Sequence, residues 1–118
     1  DYTQFFRRLA SDSDQDIAAM FDSDSKIIAW LADWRTRLLR DPLDATARCK
    51  AMNAVNPVYI PRNHLVEQAL QAADAGDMAP FQKLLEVLSH PFRKVHGLEA
   101  FEGPAPASFG AYKTFCGT

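Results

Sequence analysis

The chain has 118 residues, 47% of them hydrophobic and 24% charged, with a net charge of −2. That is the length of one domain with one core, and the near-neutral charge with dispersed Lys and Arg gives no reason to expect a nucleic-acid-binding face. No stretch approaches the ~20 apolar residues of a membrane span and no signal peptide is read in the sequence, so neither a membrane nor a nucleic acid is expected as a partner. The first residue is Asp1 rather than Met, which reads as a processed product or an excised piece of a longer protein.

The dominant period is helical. Phe5, Phe6 and Leu9 predict a short first helix that Thr3 caps, and Ser13 caps a second carrying Ile17, Met20 and Phe21, with Asp14 and Asp16 favourably placed in its first turn. Ile27, Leu31, Trp34 and Leu38 share one face of a third, longer helix; Trp30 widens that face, and Arg35, Arg37 and Arg40 suit its C-terminal end. Asp41-Pro42 reads as an N-cap with proline at the first helical position, starting a fourth helix that runs to about Ala54 and packs through Leu43, Ala47 and Met52. A fifth helix carries Leu65, Val66, Ala69, Leu70 and Ala73 and ends at Gly76, a left-handed cap residue. Asp77 caps a sixth with Pro80 in its first turn, where Phe81, Leu84, Leu85 and Leu88 fall at i, i+3, i+4 and i+7, and Pro91 lies just past its end. The expected fold is therefore all-α: a small bundle of five or six helices over residues 1–91, then an irregular Pro/Gly-rich tail over 92–118.

Between the fourth and fifth helices lies Asn56-Pro57-Val58-Tyr59-Ile60-Pro61-Arg62-Asn63. Each proline fixes its own φ and pushes the preceding residue out of the helical region. Asn56 and Ile60 should be extended, giving a stiff elbow that holds Tyr59, Arg62 and Asn63 in set directions. Two readings stay open for Asn56, Tyr59, Arg62 and Asn63. They satisfy loop and helix-end backbone groups, or they form a contact surface for another domain or a ligand. In the tail, Phe109, Tyr112 and Phe115 are spaced by three and are expected to dock on a surface, since disordered tails avoid aromatics.

Other candidate chemistry is weak. Asp12, Asp14 and Asp16 resemble the start of a calcium loop, but the sixth and twelfth positions hold Ile17 and Ser23 instead of Gly and Glu. His64, His90, His96 and Cys116 match no compact zinc spacing. Glu67 and Glu86 read as solvated charges, and no phosphate loop or nucleophile–base grouping is recognisable. Trp30, Trp34 and Cys49 are expected in the core. No catalytic, metal or cofactor-binding residue is expected on this chain.

From Ala51 onward the sequence resembles the selenoprotein O family. The residues that carry this are Met52-Asn53-Ala54-Val55-Asn56-Pro57, Tyr59, Arg62-Asn63, Ala69, Ala72-Ala73, Gly76-Asp77, Leu84 to Leu88, Pro91-Phe92 and Cys116 two residues from the end. Asp1-Tyr2-Thr3 with Phe6-Arg7-Arg8-Leu9, and the Trp30–Arg37 stretch, are similar to the segment just beyond the family's kinase-like core. Departures are Val58 and Pro61, where many relatives have Lys and Leu, and the ending Gly117-Thr118 in place of two serines.

The resemblance implies a pseudokinase-fold protein that transfers AMP from ATP to protein side chains, using Mg2+ or Mn2+, in the bacterial cytoplasm. The family's ATP- and metal-binding residues lie upstream and none maps onto this chain. It would then be the non-catalytic helical C-terminal region, with the upstream kinase-like domain and the parent's protein substrates as partners. Cys116 matches the family's redox-regulatory cysteine, linked to disulfide pairing with the kinase-like domain; a tail thiol is accessible enough for exchange. The alternative is an independent helical protein-interaction module.

Overall fold

The structure, a computed structural model, describes residues 1–11 and 13–110. Among these are six α-helices and no strand, so the all-α expectation holds. Backbone contacts divide the chain into two compact units, one of residues 1–58 and one beginning at Tyr59.

The first unit holds α1 (Tyr2–Leu9), α2 (Asp14–Ala19), α3 (Ser25–Leu38) and α4 (Ala45–Val55). Its core is Phe5, Leu9, Ile17, Ala18 and Leu31, with Met20, Ile27, Trp34 and Met52 packed against them. Side-chain oxygens close the first four helix starts, where backbone N–H groups lack intrahelical acceptors. Asp1, rather than the expected Thr3, caps α1 by accepting from Gln4 N–H, because Thr3 already lies inside the helix. Ser13 caps α2 as expected, and Asp24 caps α3. The turn between α2 and α3 places Asp22 and Ser23 at φ of 52° and 54°, a left-handed pair without glycine.

The fourth helix begins three residues later than Asp41-Pro42 implied. Asp44 takes the cap position and accepts from Ala47 N–H at 2.7 Å. Asp41 is occupied elsewhere: its carboxylate accepts from Leu43 N–H at 3.0 Å and from Arg48 Nε at 2.9 Å. Those two partners, the backbone N–H first, hold its pKa below the ordinary carboxylate value. At the other end of α4, Arg7 of α1 donates Nη1 to the carbonyls of Asn53 and Asn56 at 3.1 and 3.2 Å, supplying donors to terminal acceptors.

Three core expectations need correction. Trp30 is 42% exposed, stacked on Trp34 at 5.9 Å with the rings 6° from parallel. Leu43 is exposed because it precedes the delayed start of α4. Cys49 is only half-buried; α4 contributes no fully buried side chain, and the Cys49 sulfur accepts from Asn53 Nδ2 at 3.3 Å.

In the second unit α5 (Asn63–Asp74) and α6 (Ala79–Leu88) form a hairpin. Gly76, at φ 90°, makes its turn: Gly76 N–H donates to Ala73 and Asp77 N–H to Ala72, the paired bonds of a Schellman cap. Asp77 then accepts from Ala79 N–H at 3.0 Å, capping α6 from one residue before the formal cap Met78. The buried face of α6 is Leu84 and Val87, rotated from the predicted stripe, so Phe81 and Leu85 remain exposed. They line an apolar groove of about 170 Å³ with Val66, Leu70 and Leu88. After Pro91 the chain makes two 3-10 turns, Glu99–Phe101 and Ala107–Phe109, and returns to the start of α5.

A Cβ on Gly76 would meet nothing within 4 Å, so its cost is purely conformational. Gly76→Ala should destabilise the fold by about 1 kcal/mol in urea denaturation, whereas Gly103→Ala, equally open but without the positive φ, should stay within about 0.5 kcal/mol.

Candidate functional site

The elbow is built as its prolines dictate. Asn56 is extended, at φ −104° and ψ 113°, and ends α4. Its N–H and its Nδ2 both donate to the Met52 carbonyl, at 3.0 and 2.8 Å, closing the helix end. The boundary between the two units comes after Val58.

Tyr59 is 2% exposed, among the most completely buried side chains of the protein. Its backbone N–H donates to the Pro91 carbonyl at 3.2 Å. Its hydroxyl accepts from Val95 N–H at 3.0 Å and donates to the Val95 carbonyl at 3.4 Å. One side chain thus satisfies both backbone groups of a residue 36 positions away, in a segment with no ladder of its own.

Arg62 stands at the N-cap of α5 and donates Nη2 to the Glu102 carbonyl at 2.6 Å. Burial pushes the Arg62 guanidinium pKa down from its ordinary value. The Glu102 carboxylate accepts from Lys94 Nζ at 2.9 Å. Asn63, the first residue of α5, is exposed. The elbow and the returning segment enclose a cleft of about 380 Å³ at the start of α5.

Of the residues singled out from sequence, Arg62 and Asn63 border this cleft, Tyr59 is turned into the interior, and Asn56 belongs to the end of α4 in the other unit. Cys116, Tyr112 and Phe115 lie outside the described residues. Among those described, no three His, Cys, Asp or Glu side chains gather as a metal site.

Sequence reasoning missed His64 as part of the elbow, weighing it only for zinc. It is buried beside Arg62 and Asn63, its ring edge-on to Phe109 at 5.9 Å. The signal was present in the Arg-Asn-His order at a helix start. Val95 and Glu102 had no local signal, because their role is to offer backbone groups.

Tyr59→Phe keeps the ring and deletes the hydroxyl, leaving Val95 N–H without its acceptor. We expect a loss of about 1–3 kcal/mol, read from the urea midpoint, with faster hydrogen exchange at the Val95 amide. An unchanged exchange rate would contradict the tethering role.

Comparison with known proteins now places the chain. The family model for protein adenylyltransferase SelO matches residues 1–89. The protein nucleotidyltransferase YdiU of Sphingopyxis alaskensis is 46% identical over 121 residues, covering 100% of this chain and 25% of the relative. Its namesakes from Mycobacterium sp. (strain KMS) and Cereibacter sphaeroides (strain ATCC 17029 / ATH 2.4.9) are 47% and 48% identical, again over 100% of this chain and 24% of theirs. The chain spans about a quarter of the length of the curated relatives it matches. With identity of this level along its whole length, the chain belongs to the protein adenylyltransferase SelO family.

Proposed function

We propose that this chain is the helical C-terminal part of a cytoplasmic bacterial protein adenylyltransferase, seated on an upstream kinase-like domain. That parent moves AMP from ATP to Ser, Thr or Tyr side chains of protein substrates. The observation that carries this reading is the match, over the whole of this chain, to proteins named as nucleotidyltransferases, of which the chain is only a quarter. ATP and its Mg2+ or Mn2+ belong to the kinase-like domain in this reading, and the present residues supply no step of the transfer.

The seating surface is best supported in the first unit. Tyr2 and Phe6 stack at 6.4 Å, Phe5 meets both Phe21 and Trp30 edge-on or tilted, and Trp30 stacks on Trp34. Tyr2 is 82% exposed, and Phe6, Phe21 and Trp30 are exposed with it. A contiguous aromatic face of this kind is the composition of an interface centre. The elbow is the second proposed contact, through Asn56, Tyr59, Arg62 and Asn63; exposed Asn63 would touch the neighbouring domain while buried Tyr59 fixes the shape beneath it. The independent-module reading, in which partners dock through the elbow and the tail, gives no reason for the quarter-length match.

Radiolabelled ATP tests the activity: the full-length parent should label protein with AMP, and these 118 residues alone should not. Labelling by this chain alone would sink the assignment.

Cys116 is proposed as the redox-regulatory thiol, forming a disulfide with a kinase-domain cysteine by exchange, in which a disulfide oxidant takes up the two electrons and leaves as two thiols. In the full-length protein Cys116→Ser should remove that intramolecular disulfide on non-reducing gels, and Cys49→Ser should leave it. Equal effects of the two changes would refute the distinction.

A further inference from the structure

The groove of the α5–α6 hairpin has a wholly apolar lining, with Val66 and Leu70 on the α5 side and Phe81, Leu84, Leu85 and Leu88 on the α6 side. The hairpin buries Ala69, Leu84 and Val87, yet leaves Leu70, Phe81 and Leu85 exposed beside them. A contiguous apolar surface of this kind marks a contact site. Its size limits what can enter. A cavity of about 150 Å³ lined by aliphatic and aromatic side chains holds one benzene ring, so the groove, at about 170 Å³, takes one aromatic side chain. With no polar side chain in the lining, a tyrosine hydroxyl would give up its bonds to water for nothing. Phenylalanine is the ring that fits.

The chain itself brings such a ring close by. The described residues end at Gly110, and the sequence continues Ala111-Tyr112-Lys113-Thr114-Phe115. Phe109 lies edge-on to His64 in the first turn of α5, with ring centroids 5.9 Å apart. Phe115 comes six positions later, a reach of about 20 Å in extended chain. Val66 and Leu70 stand two and six positions past His64, about 3 and 9 Å along the helix axis. A helix is about 10–12 Å across with its side chains, so the groove is within reach whichever side of α5 it lies on. A short tether also holds its ring at an effective concentration on the order of millimolar, an advantage that a ring on a separate molecule lacks.

We propose that the α5–α6 groove is the docking site of this chain's own tail, with the Phe115 ring as its occupant. Phe115 then covers Leu70, Phe81 and Leu85, and the tail is anchored at two points, by Phe109 at the start of α5 and by Phe115 in the groove. This inference rests neither on adenylyl transfer nor on a disulfide of Cys116.

The test uses the full-length parent, kept reduced so that no disulfide bears on the tail. Phe115 is replaced by the photoreactive p-benzoylphenylalanine, and after irradiation the cross-linked peptides are mapped by mass spectrometry. The main product should join position 115 to Val66, Leu70, Phe81 or Leu85 of the same chain. Leu85→Glu puts a carboxylate in the groove and should cut the yield of that product about tenfold or more. Leu39→Glu, at an exposed position of the first unit, should leave the yield unchanged. Leu70→Glu, on the opposite wall, repeats the test if Leu85→Glu misfolds. Three results would each overturn the proposal: cross-links to upstream residues, cross-links to a second chain in a mixture of isotope-labelled and unlabelled protein, or no cross-link. AMP transfer, measured separately, reports on the proposed function alone.

Discussion

Tyr59 and the two backbone groups of Val95 are the constraint on which the second unit depends. Residues 92–110 contain only two short 3-10 turns, so their amides and carbonyls have few partners of their own. A segment of that kind stays in place only if something else satisfies its backbone. The hydroxyl of Tyr59 does so at Val95, the N–H of Tyr59 does so at Pro91, and Arg62 holds the carbonyl of Glu102. Pro57 and Pro61 favour this arrangement, because a chain with fixed φ on either side loses less entropy when Tyr59 is buried.

The first unit is held differently. Among the described residues, the four short helices, the longest of 14 residues, gather a core cluster of five buried side chains. Helices of this length have little stability alone, so the caps of Asp1, Ser13, Asp24 and Asp44 matter, as does the clasp from Arg7 onto the end of α4. So small a core leaves a ring of aromatic side chains facing outward. Tyr2 is 82% exposed and Trp30 42% exposed, and an exposed apolar face of this kind is what the proposed seating would cover.

The elbow also sets the start of the second unit's first helix. The same proline that orients Arg62 sets the start of α5, and so places two free-ended N–H groups, an imidazole and a guanidinium around one cleft. Ordinary folding requirements account for Tyr59 and Asn56, whose polar atoms end on nearby or returning backbone.

Local sequence signals determined the helices, the Ser13 and Asp77 caps, the Gly76 turn and the rigid elbow, because each depends on a few residues in immediate succession. Family membership was legible too, from motifs spread along the chain. Tertiary structure decided what periodicity could not: which edge of each stripe is buried. Trp30 and Leu85 sit on apolar faces by spacing, yet lie outside because Trp34, Leu31, Leu84 and Val87 fill the available contact. It also decided that Asp44, not Asp41, starts α4, since Asp41 is taken by Leu43 and Arg48. The partnership of Tyr59 with Val95 and the gathering of Arg62, Asn63 and His64 beside Pro104 and Phe109 depend on residues about 40 positions apart. No local pattern encodes such a meeting; only the return of the chain after α6 brings it about.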